Sequence, residues 1–100
     1  MNMAKYGVFV EWNDMPLGFK SWLLGLRRLR GLSIKQWSSN DNGITEAMGF
    51  DIEEDDYQNN DIYMEMTKKF CNPKRKTSLK RWYIYDYAKK QSYLRVEEIE

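Results

Sequence analysis

Apolar positions along this chain change period twice. From Tyr6 to Trp12 they crowd together, with Val8 and Val10 on one face and Phe9 and Trp12 otherwise disposed. β-branched and aromatic residues suit a pleated surface, so the segment is predicted as a strand. Asn13 and Asp14 then offer a turn and a helix N-cap, with Pro16 in the first turn. From about Met15 to Arg30 the period lengthens to that of a helix. Phe19, Trp22, Leu23, Leu26 and Leu29 follow one buried stripe. Gly31 stands where a left-handed C-cap belongs, and Arg27, Arg28 and Arg30 complement the negative end of the helix dipole.

The far side of this helix carries Leu17 and Leu24 beside Lys20, Arg27 and Arg28. Either another segment covers the leucines, or the five residues form a partner-binding strip, apolar in the middle and basic at the rim.

Between Leu32 and Phe50 two readings stand. Asn42-Gly43 is a hairpin turn signal, joining strands over Ser33–Ser38 and Ile44–Phe50. Alternatively, Ser33 caps a short helix through Trp37 and Ile44–Met48 forms another. Gly31-Leu32-Ser33-Ile34-Lys35-Gln36 then has a rhythm similar to a helix-turn-helix. The turn would be too long, however, and Ile44–Phe50 holds Glu46 and no base, which is wrong for a DNA-reading helix.

Asp51 to Asp61 reads as an exposed acidic loop. Ile62 to Phe70 fits a strand with Ile62, Met64 and Met66 on one face, or a helix with Ile62, Met66 and Phe70 aligned; the strand is taken here. Asn72-Pro73 ends it, and Lys74, Arg75 and Lys76 form a basic loop. A C-terminal hairpin is expected from Lys80–Tyr87 and Gln91–Ile99 around Ala88-Lys89-Lys90. Its register sets Trp82 against Val96 and Ile84 against Leu94 on a buried face, and Arg81 against Glu97, Tyr83 against Arg95 and Tyr85 against Tyr93 on the outer one.

Together these elements predict an α+β fold, one long amphipathic helix packed on a small antiparallel sheet that includes the C-terminal hairpin. One hundred residues, 42% hydrophobic and 15% aromatic, suffice for a single globular domain over 1–100. No apolar run approaches the roughly 18 residues of a membrane span, and Met1–Val10 lacks the apolar core of a signal peptide. Cys71 is the single cysteine, so no internal disulfide can form. A cytoplasmic location is the expectation.

Composition narrows the chemistry. The chain has no histidine, which excludes a Ser-His-Asp triad, a Cys-His pair and imidazole metal ligation within it. Carboxylate, lysine or tyrosine chemistry, or an acidic magnesium site, would remain. Asp51, Glu53, Glu54, Asp55 and Asp56 do not follow a calcium-loop pattern, and they read as a solvated acidic patch or a protein-docking one. Glu65 and Lys68 are one residue too far apart for the Glu-x-Lys pair of a metal nuclease. No metal or cofactor is expected.

The net charge of +1 hides segregation: residues 51–66 hold seven acids and no base, whereas residues 67–95 hold ten bases against Asp86. Such a dipolar chain can fold on itself or steer a charged partner. The outer hairpin face, with Arg81, Tyr83, Tyr85, Tyr87, Tyr93 and Arg95, is a second candidate surface, since tyrosine suits both protein contact and base stacking. In size and composition the chain is similar to small phage-encoded inhibitors of host machinery, including anti-defence proteins, which would place it in the host cytoplasm. The expected function is non-enzymatic: occupation of a surface on a larger protein or nucleoprotein. The alternatives are an RNA- or single-stranded-DNA-binding module using the Tyr/Arg face, and an acid-dependent metal nuclease.

Overall fold

A computed structural model describes residues 4–38, 46–72, 74 and 78–96. Among these, the elements run β1 (Tyr6–Glu11), α1 (Phe19–Arg30), β2 (Ile34–Ser38), β3 (Glu46–Ile52), α2 (Asp61–Phe70), β4 (Arg81–Asp86) and β5 (Gln91–Val96), with short 3-10 turns at Trp12–Asp14 and Tyr57–Asn59. The five strands form one antiparallel sheet in the order β2-β3-β1-β4-β5. The α+β class is as expected.

The topology explains where the helices lie. β1 and β2 both run antiparallel to β3, which sits between them, so β1-α1-β2 is a split β-α-β unit. β3-α2-β4 is a second, with β1 in its gap. The second crossover starts from an antiparallel strand and moves toward the opposite edge. Two right-handed crossovers therefore bring both helices to the same face. The core confirms this, joining Phe19, Leu23 and Leu26 of α1 and Ile62, Tyr63 and Met66 of α2 to Val8, Val10, Met48, Phe50, Ile52, Trp82 and Ile84 of the sheet. Each large side chain so buried contributes roughly 1.5–3 kcal/mol. No described helix lies over the other sheet face.

α1 begins later than the spacing predicts. Gly18, at φ 88° and ψ −9°, takes the third position of a type II turn, and the Phe19 amide donates to the Pro16 carbonyl at 3.1 Å. The expected Asp14 cap and Pro16 first turn are thus a 3-10 turn and a separate β-turn. Phe19, Leu23 and Leu26 are buried and Trp22 is half-buried, but Leu29 is 78% exposed. At 100° per residue Leu29 lies about 80° from Phe19, on the flank of the stripe. Gly31 caps the helix in the left-handed region at φ 69°, as expected.

The hairpin reading of residues 32–50 is correct in its strands: β2 and β3 pair, with Ile34 opposite Phe50 and Gln36 opposite Met48. The expected Asn42-Gly43 turn lies outside the described residues. The strand expected at Ile62–Phe70 is instead α2. Asn60 accepts a hydrogen bond from the Tyr63 amide at 2.8 Å, a helix N-cap, and Lys68 and Lys69 occupy the last turn. Met64, which the strand would have buried, is 46% exposed. Beyond α2, Ser78 joins the helix end to β4: its hydroxyl accepts from the Asn72 amide at 2.7 Å and donates to the Phe70 carbonyl at 3.1 Å.

The C-terminal hairpin is present but shifted by one residue. Trp82 pairs with Arg95, Tyr83 with Leu94, Ile84 with Tyr93 and Tyr85 with Ser92. Asp86 Oδ1 accepts the amides of Ala88 and Lys89 at 3.0 and 3.1 Å, which opens a four-residue loop from Tyr87 to Lys90, the last with φ 54°. Beyond Asp86, the Tyr87 amide donates to the carbonyl of Lys5, the residue before β1, at 3.1 Å. The shift turns Leu94 and Val96 to the face without helices, at 50% and 55% exposure.

Candidate functional site

The helix-free face is built in rows. One row crosses all five strands: Lys35 on β2, Gly49 on β3, Phe9 on β1, Tyr83 on β4 and Leu94 on β5. The next holds Asp51, Gly7, Tyr85 and Ser92. Two adjacent rows therefore lack a side chain near their centre. The Phe9 ring fills part of the gap by lying over Gly7, where an added Cβ would sit 2.6 Å from its edge. What remains is a depression of about 320 Å³ lined by Phe9, Lys35, Gln36, Tyr85 and Tyr87.

Its polar rim is one closed triad. Tyr87 Oη donates to Asp51 Oδ1 at 2.6 Å, and Lys35 Nζ lies 2.6 Å from Asp51 Oδ2 and 3.3 Å from Tyr87 Oη. The ammonium also stands 5.3 Å from the centre of the Tyr87 ring, which packs edge-to-face with Tyr85 at 5.1 Å between ring centres. Hydrogen bonds to Asp51 and then Tyr87 raise the Lys35 pKa. Burial first, then the Asp51 hydrogen bond, raises that of Tyr87. Near neutral pH this leaves an ammonium and a neutral phenol, neither of them activated as a base or nucleophile. Tyr83 is likewise raised, chiefly by burial. At the opposite end of the face Arg81 Nε lies 3.2 Å from Asp14 Oδ2. Exposed pairs of this kind contribute at most about 1 kcal/mol to stability, but each cancels a charge on the face.

The structure distributes the sequence-derived site residues unevenly. Arg81, Tyr83, Tyr85 and Tyr87 share the helix-free face. Tyr93 and Arg95, paired with Ile84 and Trp82, fall on the helix side, because of the one-residue shift. The strip of Leu17, Lys20, Leu24, Arg27 and Arg28 is broken: Leu17 sits at the tip of the Pro16–Phe19 turn, 93% exposed, while Leu24 is half-buried on α1. Lys20 stands 5.0 Å from the Trp12 ring centre. Of the basic loop, Lys74 is exposed and its amide donates to Asn72 Oδ1 at 3.0 Å; Arg75 and Lys76 lie outside the described residues.

The acidic patch is used locally. Asp51 belongs to the triad. Glu54 accepts from Asn60 Nδ2 at 3.0 Å, Asp55 pairs with Lys5, and Asp56 Oδ1 accepts the Gln58 amide at 2.9 Å. Among the described residues no cluster of three or more acids or cysteines could hold a metal ion. Glu65 lies on α2, 3.9 Å from Arg30, so the strand-borne pair that a nuclease would need does not form. No described helix is long and apolar enough to cross a membrane.

Sequence reasoning missed Phe9, Lys35, Leu94 and Val96 as members of this face. Gly7 and Gly49, each interrupting a strand pattern, were the available signal, because such glycines mark places where something approaches the sheet closely. Comparison with known proteins adds nothing: no family model, curated protein or solved structure matches the chain.

Proposed function

We propose that this chain is a non-enzymatic binding protein that lays its helix-free sheet face against a larger protein, acting by occupancy as small phage-encoded inhibitors do. The carrying observation is the charge balance of that face. Its aromatic and aliphatic groups, Tyr83, Tyr85, Tyr87, Leu94 and Val96, are accompanied by Lys35 and Arg81, each already matched by a carboxylate. Binding to a nucleic-acid backbone draws its free energy from unneutralised cations that displace counterions. A near-neutral, tyrosine-rich platform favours a protein partner, in which tyrosine and arginine anchors dominate the energetics.

The test begins by capturing the partner from the source cell with the wild-type chain. Variants then assign the surface. Tyr83→Ala with Tyr85→Ala should leave the fold intact and weaken binding at least about 30-fold, since one hot-spot side chain is worth about 2 kcal/mol or more. Arg28→Glu, on α1, should leave affinity unchanged. The reverse pattern refutes the assignment. Tight, salt-sensitive binding of oligonucleotides that the tyrosine variant abolishes would replace the protein partner with a nucleic acid.

A further inference from the structure

β5 is an edge strand with unusual exposure. Gln91 to Leu94 and Val96 are exposed and only Arg95 is half-buried, so this strand lies largely outside the cover of the helices. Which of its backbone groups point away from β4 follows from the register. Backbone directions alternate along a strand, and the Tyr87 amide points to β1. Tyr83 and Tyr85 therefore also turn their backbone groups to β1, while Trp82, Ile84 and Asp86 turn theirs to β5. Their partners Arg95, Tyr93 and Gln91 point back. The N–H and C=O groups of Ser92, Leu94 and Val96 are left facing outward. No proline or bulge interrupts this edge within Gln91–Val96, and its one charged residue, Arg95, is half-buried on the helix side; the opposite edge, β2, carries Lys35.

We infer that the occupant of this edge is a second copy of the chain, with β5 pairing antiparallel to its twofold mate about Leu94. The strand is self-complementary in that register. Leu94 meets the mate's Leu94 and Ser92 meets Val96, each through outward-facing backbone groups, and Tyr93 meets Arg95, aromatic face to guanidinium. Moving the axis one residue onward would set Arg95 against itself. Charge at the strand ends agrees. The chain enters β5 through Lys89 and Lys90 and, in sequence, continues past Val96 into Glu97 and Glu98. Antiparallel pairing brings the basic end of one copy to the acidic end of the other. The two five-stranded sheets become one of ten, and the helix-free faces become continuous. An unrelated strand would need to supply all of these complements by chance.

Sedimentation equilibrium of the full chain tests this, over about 1 to 200 µM. The weight-average mass should climb from 12.1 kDa toward twice that value with concentration. Leu94→Lys puts two ammonium groups on the axis and should hold the protein at the monomer mass, with an unchanged circular dichroism spectrum because Leu94 is outside the core. Lys89→Glu with Lys90→Glu should weaken association at least tenfold, and adding Glu97→Lys with Glu98→Lys should restore it. This exchange also decides the matter if Leu94→Lys fails to fold. A monomer at every concentration overturns the inference, even if β5 captures a strand of another protein. So does a dimer indifferent to both sets of changes. The proposed partner face is untouched by the charge exchange, so partner binding can be scored separately.

Discussion

Replacing Gly49 by alanine should destabilise the protein severely. An ideal Cβ there would lie 1.6 Å from the Val8 carbonyl oxygen, 2.7 Å from its carbon and 3.0 Å from Phe9 Cα. All three are backbone atoms of the neighbouring strand, so no side chain can rotate away. Relief requires β1 and β3 to part locally by roughly 1.5–2 Å, beyond hydrogen-bond reach for the adjacent ladder bonds. Losing two or three such bonds at about 1 kcal/mol each, with some loss of core contact beneath, amounts to about 3–4 kcal/mol. That is a large part of the 5–15 kcal/mol typical of a domain. β1–β3 is moreover the central pairing, placing Val8 on Phe50 and Val10 on Met48. Gly25→Ala is the control. It lies inside α1 with nothing within 4 Å of the added Cβ, and it should stabilise by about 0.5–1 kcal/mol. Urea unfolding followed by circular dichroism measures both. A Gly49→Ala midpoint equal to wild type would refute the strand geometry on which the open face depends.

Four further outcomes follow from individual groups. Trp82 Nε1 donates to Tyr63 Oη at 3.0 Å in the core, so Tyr63→Phe strands a buried donor and should cost about 1–3 kcal/mol in urea unfolding. Trp22 Nε1 is buried and finds no acceptor among the described residues; Trp22→Phe, which removes that donor, should cost under about 1 kcal/mol despite lost packing. Asn60→Ala removes the α2 cap and should lower stability by about 1 kcal/mol in the same assay. Stability should hold steady up to about pH 10 and then fall. Lys35 is raised above 10.5, so its contribution is complete below that value and disappears as pH rises through the folded pKa. Tyr63 and Tyr87 are raised above 10.0, so the folded state keeps protons that the unfolded chain releases, with the same sign. Tyr87→Phe should flatten the alkaline decline, and an unchanged slope would contradict the triad.

How far the fold was legible depended on whether local signals agreed. β1, most of α1 and the Gly31 cap could be read because periodicity, capping and charge coincide there. The start of α1 was misread because Asp14 and Pro16 mimic a helix entry, although Pro16-Leu17-Gly18 spells a type II turn. α2 was misread because a short apolar segment fits both periods; Asn60, three residues before Tyr63, held the deciding cap. In sequence the favoured hairpin register is the one that buries Leu94 and Val96. That reasoning fails for a strand lying beyond the helices, where exposure on the other face costs little and the Asp86 turn decides instead. The tyrosine row on β4 was visible in sequence. Its neighbours Phe9 and Lys35 were not, since only the β2-β3-β1-β4 order brings them alongside.

Hydroxyl-radical footprinting of the chain, free and bound to its captured partner, measures the proposed docking face directly. Oxidation of Tyr83, Tyr85 and Tyr87 should drop in the complex, while Met64 on α2 stays as reactive as in the free chain. Protection of Met64 with the three tyrosines unchanged would contradict the account.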